Sequence, residues 1–495
     1  MPRAATPFAG KEAAPSSFST IGGYALIPFL ACLYATVIFP LIIVSCDPTD
    51  SACLMEARPE SKIFWPALAA IALVLAIRNF SRLTFPPHVL WLFGYLALAA
   101  ASVLWAFKPE ASFVRFAQQA MIVASIVIPA TLASRKSDLM RGLFVCFAIA
   151  TILNVFFVLG RPPIDTKFAT WGYPGYFSGK NYLGECEAVA VLLAMHEAIH
   201  PGRRRIFGIL IAVTAFGLLL ASNSKTALGL LFLTPMLAGA VLMLRKATRF
   251  SPALILLSIP VCWMILTTLT GFSIYRVSNI LYGDPTFTGR SIIWNFVESE
   301  IEHRPLLGWG YQSFWLVGPD APSIVNAPGW VKDMPNGHNG YLDVKAELGY
   351  VGYAIFLAFI FSTLHAIGRV ADRDMTRAWL LLTLTLQIII TNGLESVWMR
   401  GFEMLWIVFL ILVAEIARYW KPLRDGAARA VSRGSGNAQP RSPRNGPAPL
   451  RGMRRPAASK AWLRSVNGDR PADSASTLPS SSAMADGGKP ATTIS

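Results

Sequence analysis

The chain reads as an all-α polytopic membrane protein with about twelve transmembrane helices and one long loop between the ninth and tenth, on three observations. Hydrophobic residues make up 54% of the 495 positions and charged ones 15%, whereas about a quarter of the residues of a soluble chain are charged. Apolar stretches near the ~20 residues that span hydrocarbon recur along most of the chain. Basic residues fall in alternate turns between them, as the positive-inside rule requires.

Taken in order, the apolar stretches cover 21–44, 63–77, 87–107, 113–133, 142–159, 183–199, 206–222, 227–244, 252–270, 348–367, 378–391 and 402–418. The first is longer than the apolar region of a signal peptide, and "SCDPTD" follows it in place of a small-residue cleavage site, so it reads as a span and 1–20 as a cytoplasmic segment. Arg78 and Arg82, then Arg135, Lys136 and Arg141, then Arg203 to Arg205, then Arg245, Lys246 and Arg249, then Arg369, Arg373 and Arg377 mark the inward turns. Both termini are then cytoplasmic, the spans fill a domain over 21–420, and the loop over 271–346 faces outward.

Residues 421–495 are rich in Arg, Pro, Gly, Ala and Ser and hold thirteen Lys and Arg against four Asp, a net +9 of the formal +16. Such a segment cannot bury enough apolar area to fold, and it reads as a disordered basic tail held near anionic membrane lipid. Nucleic acid is not the expected partner. Cys46 and Cys53 share the first outer loop, where a disulfide is permitted, while Cys32, Cys146, Cys186 and Cys262 fall in apolar helices.

Basic residues on the outer side break the positive-inside pattern and need another account. They cluster in four patches: "YFSGKNYLG" over 176–184, with Lys180 and Asn181; "ASNSKTALG" over 221–229, with Lys225; "FTGRSIIWNFVESEIEHRPLLGWG" over 287–310, with Arg290 and Arg304; and "MPNGHNGYLDVKAELGYVG" over 334–352, with His338, Asn339, Asp343 and Glu347. In the third, Ile293, Val297 and Ile301 recur every four residues and predict a short amphipathic helix with Arg290 in its first turn. In the fourth, a helix is expected from about Asn339 or Gly340.

Lysine offers a point charge and arginine a planar fork of donors, and both suit phosphate or pyrophosphate oxygens at headgroup depth. Neighbouring asparagine and glycine permit close backbone approach and capping. Histidine titrates near neutrality, so His338 is a candidate proton acceptor, with Asp343 or Glu347 available to orient its ring. Blander readings stay open: His338 as a cap, Arg290 paired to Glu298, Glu300 or Glu302, Lys180 and Lys225 snorkelling, and Glu185 and Glu187 wet near the outer face. Trp171, Tyr173, Tyr176, Trp309, Tyr311, Trp315 and Trp330 suit either an interfacial belt or sugar stacking. No phosphate-binding GxxxxGK[ST] loop, dinucleotide glycine motif, paired CxxC or CxxCH occurs, and the six histidines are spread over loops and spans on both sides, which does not suggest a histidine-rich metal site.

In their order, "FSGKNYLG" over 177–184, "SNSKTALG" over 222–229, "TGR" over 288–290 with Trp294 and "RPLLGWG" over 304–310, and "HNGYLDVKAELGYVG" over 338–352 resemble the O-antigen ligase and polymerase superfamily. The resemblance is to the exopolysaccharide repeat-unit polymerases of the ExoQ type in particular, and it covers about 21–420. It implies a GT-C-like membrane glycosyltransferase that uses an undecaprenyl-pyrophosphate-linked oligosaccharide at the periplasmic face of a bacterial inner membrane, with no cofactor and no metal. Arg290 and Lys225 would then bind the donor pyrophosphate, His338 would help deprotonate the acceptor hydroxyl, and Lys180, Asn181, Asn339, Arg304 and Glu347 would bind substrate. Position 225 carries lysine where ligases often have arginine, which keeps the charge and loses the bidentate fork. A chain-length regulator of the Wzz/Wzc type is the implied protein partner. A ligase transferring polysaccharide to a lipid A core and a transporter of lipid-linked saccharide remain alternatives.

Overall fold

A computed structural model describes residues 22–46, 53, 58–134, 137–160, 164–166, 169–271, 276, 279 and 289–420. The expectations for 1–20, for the tail over 421–495, for Arg135 and Lys136, and for most of 272–288 lie outside the described residues.

Every one of the twelve apolar stretches is helical. In chain order the helices are α1 (Gly23–Ile42), α2 (Pro59–Arg78), α3 (Pro87–Ser102), α4 (Pro109–Leu132), α5 (Leu139–Gly160), α6 (Lys180–Ala198), α7 (Arg203–Ser222), α8 (Lys225–Thr248), α9 (Pro252–Thr270), α10 (Arg290–His303), α11 (Gly340–Ala371), α12 (Met375–Thr391) and α13 (Met404–Arg418). Eight of them, α1, α2, α4, α5, α7, α8, α9 and α11, are long and apolar enough to cross a membrane. The chain is a largely α-helical, multi-pass membrane protein. Proline at the first or second position of α2, α3, α4 and α9 suits a place where no backbone donor is required.

Burial separates the centre of the bundle from its rim. Residues Met404 to Ala417 of α13 are all buried, and α6 is buried from Leu183 to Ala194. By contrast α9 leaves Leu257, Met264, Ile265 and Leu269 exposed. A helix that is apolar all round fits either a core or lipid, and of α13 and α9 the first is enclosed by the bundle while the second presents its apolar side chains at the rim. In α1 the segment Tyr34–Ile38 winds as a π turn, and its Thr36 carbonyl accepts the Tyr176 hydroxyl at 2.8 Å.

α10 begins at Arg290, as its periodicity predicts, and buries Ile293, Val297 and Ile301 against Phe314, Trp315, Val331 and Ala346 in a small separate core. α11 begins at Gly340 with Asn339 as its cap, the Asn339 side chain accepting from the amides of Tyr341 and Leu342 at 3.1 and 3.2 Å.

The 32-residue α11 is broken at Gly349, whose φ of 64° and ψ of −166° leave the helical region. The freed backbone groups pair with the "RPLLGWG" segment. Tyr350 N donates to Pro305 O at 2.8 Å, Trp309 N donates to Ala346 O at 3.0 Å, and Gly310 N donates to Glu347 O at 2.8 Å. A side chain at 349 would run into the Leu306 backbone, so both space and dihedral require glycine. Two of the sequence patches are thereby one structural unit.

Candidate active site

The starts of α6, α8, α10 and α11 and the turn after α12 lie at one end of the bundle, and a single carboxylate ties three of them together. Glu395 lies in the turn between α12 and α13. Its Oε2 is 3.0 Å from His338 Nδ1, and its Oε1 accepts Arg290 Nη2 at 2.7 Å and Asn181 Nδ2 at 3.2 Å. Its side chain is 20% exposed, enough for contact with solvent yet shielded on three sides. Burial alone would raise the Glu395 pKa, but the hydrogen bond from His338 and the charge of Arg290 outweigh it and hold the carboxyl below its ordinary range.

The backbone holds the histidine in place. His338 has a φ of 45°, a left-handed conformation that costs a non-glycine residue of order 1–3 kcal/mol and persists only where its surroundings over-determine it. His338 N donates to Asn336 Oδ1 at 3.0 Å, Asn339 N to Ser396 Oγ at 3.1 Å, and Gly340 N to the carbonyls of Asn392 and Glu395 at 2.9 and 3.0 Å. The loop before α11 and the turn after α12 are therefore stapled to each other on both sides of the His338–Glu395 contact. With Nδ1 engaged by the carboxylate, Nε2 has no hydrogen-bond partner among the described residues.

Asp343 and Glu347, the expected partners of the imidazole, are engaged elsewhere. Asp343 Oδ2 and Glu347 Oε1 lie 2.8 and 3.7 Å from Arg400 Nη2, and Asp343 Oδ1 accepts Gly337 N at 3.0 Å and Trp315 Nε1 at 2.9 Å. Both carboxylates are buried, so they need the arginine that they found. Arg400 in turn is raised above its ordinary range by these two carboxylates, against the opposing effect of burial.

Of the remaining expected site residues, Lys180 opens α6 and Lys225 opens α8, and the two helix starts lie together, with Gly184 of α6 packed against the side chain of Ser224, which precedes Lys225. Asn181 joins the Glu395 group, whereas Asn339 acts as the α11 cap. Arg304 lies away from it, with its guanidinium 4.3 Å from the centre of the Trp309 ring. Arg290 pairs with Glu395, not with Glu298, Glu300 or Glu302. Glu185 and Glu187, expected to be wet, are buried, and Glu187 accepts Thr151 Oγ1 and Asn154 Nδ2 at 2.8 Å each.

Among the aromatics, Tyr176, Tyr311 and Trp315 are buried, while Trp171 and Trp330 are exposed. Trp330 lies against Gly289, next to Arg290. Glu403, at the end of the Glu395 turn, accepts the Tyr182 hydroxyl at 3.4 Å. Burial, opposed by Arg400 and Tyr182, pushes its pKa up to about 7.

Sequence reasoning passed over Glu395 and Arg400, and it took an HExxH pattern to be absent, whereas His196–Glu197–Ala198–Ile199–His200 has that spacing. The ligand atoms of His196, Glu197 and His200 lie within 4.8 Å of one another. They are at the opposite end of the 19-residue α6 from Lys180, roughly 28 Å away along the helix at 1.5 Å per residue. Arg204 already clamps both oxygens of Glu197, at 2.8 and 2.6 Å, so that carboxylate has its cation.

Residues 210–357 match the model of the O-antigen ligase family. That window holds Lys225, Arg290, Arg304, His338, Asn339 and Glu347, and leaves out Lys180, Asn181 and Glu395. Over 280 residues the chain is 24% identical to the exopolysaccharide production protein ExoQ of Rhizobium meliloti, covering 53% of this chain and 61% of that protein. Putative polysaccharide ligases of Rickettsia felis and Rickettsia prowazekii are 28% and 31% identical over 96 and 88 residues, covering 19% and 17% of this chain and 24% and 22% of theirs. The chain thus spans about three fifths of ExoQ and under a quarter of these two ligases.

Proposed function

We infer, since the chain belongs to the O-antigen ligase superfamily, that it joins oligosaccharide repeat units carried on undecaprenyl pyrophosphate into an exopolysaccharide. The observation that carries this reading is the Glu395 junction, which sets a histidine whose Nε2 has no partner among the described residues beside an arginine and near the helix starts that carry two lysines. All twelve apolar helices would be spans of a GT-C-like domain, with both termini cytoplasmic. The site and the 271–346 loop would face the periplasm.

In this reaction the acceptor sugar hydroxyl attacks the anomeric carbon of the donor, the bond from that carbon to pyrophosphate oxygen breaks, and undecaprenyl pyrophosphate leaves. The hydroxyl proton passes to His338 Nε2, and the Glu395 carboxylate 3.0 Å from Nδ1 fixes the tautomer and stabilises the imidazolium that forms. The leaving group is already a stable anion, so it needs positive charge more than a proton. Arg290 gives Nη2 to Glu395, and the fork of donors on its guanidinium suits a phosphate, while Lys180 and Lys225 add point charges. No step in this scheme requires a metal. The exposed rings of Trp330 and Trp171 suit stacking on sugar.

A ligase reading draws on the matches to putative polysaccharide ligases and employs the same residues. Purified protein supplied with an undecaprenyl-pyrophosphate-linked repeat unit, without nucleotide or metal, separates the two. A ladder of lengthened lipid-linked products supports the polymerase. Transfer only to an added lipid A core supports the ligase, and a saccharide that crosses a proteoliposome bilayer unchanged overturns both in favour of transport.

A further inference from the structure

We propose that a hollow at the far ends of α8 and α11 binds the headgroup phosphate of an anionic phospholipid. The hollow, of ≈ 360 Å³, is lined by Leu242, Arg245, Lys246, Arg249, Asp372 and Met375. α8 carries Lys225 at its other end, so at 1.5 Å per residue Arg245 and the hollow lie roughly 30 Å along the helix from Lys225, well outside the candidate active site.

Three features distinguish this hollow from a scatter of surface charge. First, one guanidinium is fixed: Arg245 Nη2 donates to Gly368 O at 2.7 Å and to Asp372 Oδ1 at 2.6 Å. Gly368 makes this possible, because a side chain there would press on the Arg245 guanidinium and on Pro252. Second, the acid and the bases are unequal. Asp372 is already paired with Arg245, and Asp374 caps α12 by accepting Arg377 N at 2.9 Å, which leaves Lys246 and Arg249 at the rim without an acidic partner among the described residues. Third, the walls change from polar to apolar. Leu242 and Met375 line the hollow, and Met243, Leu244 and Phe250 are exposed beside it.

Basic groups above an exposed apolar face match a molecule with a phosphate joined to acyl chains, and basic pockets between membrane helices take such headgroups. A free phosphate would satisfy the charges and leave the apolar wall unused. That difference favours lipid as the occupant.

Native mass spectrometry of the detergent-solubilised full-length chain tests this with an equal mixture of phosphatidylglycerol and phosphatidylcholine. The wild type should retain phosphatidylglycerol selectively. The double variant Lys246→Gln/Arg249→Gln should hold it roughly thirty-fold more weakly, from the usual gain per cation near a lipid surface. The double variant Arg203→Gln/Arg205→Gln, which removes equal charge from another turn, should bind as the wild type does. The basic tail is the same in all three proteins, so the difference between them reports the hollow. Both changed pairs are at the surface, and an unchanged melting temperature verifies folding. Equal retention by wild type and the Lys246/Arg249 variant overturns the proposal. Equal uptake of phosphatidylcholine, or displacement of the lipid by inorganic phosphate, also overturns it, the latter by assigning the hollow to a soluble anion.

Discussion

His338 Nδ1 and Glu395 Oε2 are 3.0 Å apart although 57 residues separate them in the chain. The contact joins the loop before α11 to the turn after α12, and it gives the histidine a partner that can fix its tautomer. Because the same carboxylate holds Arg290, a change at Glu395 is felt by the expected base and the expected pyrophosphate ligand together.

Replacing Glu395 by glutamine keeps the shape and removes the charge. We expect a loss of about 10²–10⁴-fold in the rate of product lengthening, the usual range for a disabled general base. Quantifying lipid-linked products over time checks this. Acid should act on the same group. With its folded pKa depressed, Glu395 contributes stability that is fully present above the ordinary glutamate value near 4.3 and is lost as pH falls through the lower folded value.

Glu403 should behave in the opposite sense. Its folded pKa of about 7 lies above the ordinary glutamate value, so the folded chain loses stability relative to the unfolded one as pH rises from about 4.5 to 7, by of order 1–3 kcal/mol. Melting temperatures of Glu403→Gln measured across that window should show a flatter profile than the wild type.

Arg400→Met leaves the Asp343 and Glu347 carboxylates buried without a cation. Breaking such a group costs about 3–5 kcal/mol, and the loop carrying Gly337 and His338 should loosen with it. Unfolding curves and proteolysis within 334–339 check the two effects separately.

Gly349→Ala should destabilise the chain by more than the ~1 kcal/mol of an ordinary left-handed glycine, since the new methyl would also meet the Leu306 backbone. Thermal melting reads this directly. Gly217→Ala, with open space around it in the middle of α7, is the control expected to be neutral or stabilising.

How much of this was legible in the sequence follows from the range of the forces involved. A helix that crosses lipid must satisfy its own backbone and be apolar along its length, so the eight helices long and apolar enough to span appeared as local runs, as did the shorter apolar helices. The amphipathic face of α10 and the cap at Asn339 are also local and were read correctly. Glu395 is a lone acid in "TNGLESVW", and its meaning comes only from residues that α6, α10 and α11 bring to it. The same distance hid Arg400, which takes up Asp343 and Glu347, the two acids that the sequence offered as available to orient the imidazole. The burial of Glu185 and Glu187 was missed because depth within a helix bundle depends on neighbours, not on nearness to a helix end. The basic residues that the expected topology sets on the outer side were the signal that did reach across: three of them, Lys180, Lys225 and Arg290, come to one end of the bundle.

The most direct test is a double-mutant cycle on lengthening of the undecaprenyl-pyrophosphate-linked repeat unit, with wild type, His338→Ala, Glu395→Gln and the double variant measured together. If the two residues act as a unit, each single variant slows lengthening severely and the double variant is no slower than His338→Ala alone. Losses that multiply, or single variants that lengthen the product at the wild-type rate, would contradict a His338–Glu395 base at the centre of this site.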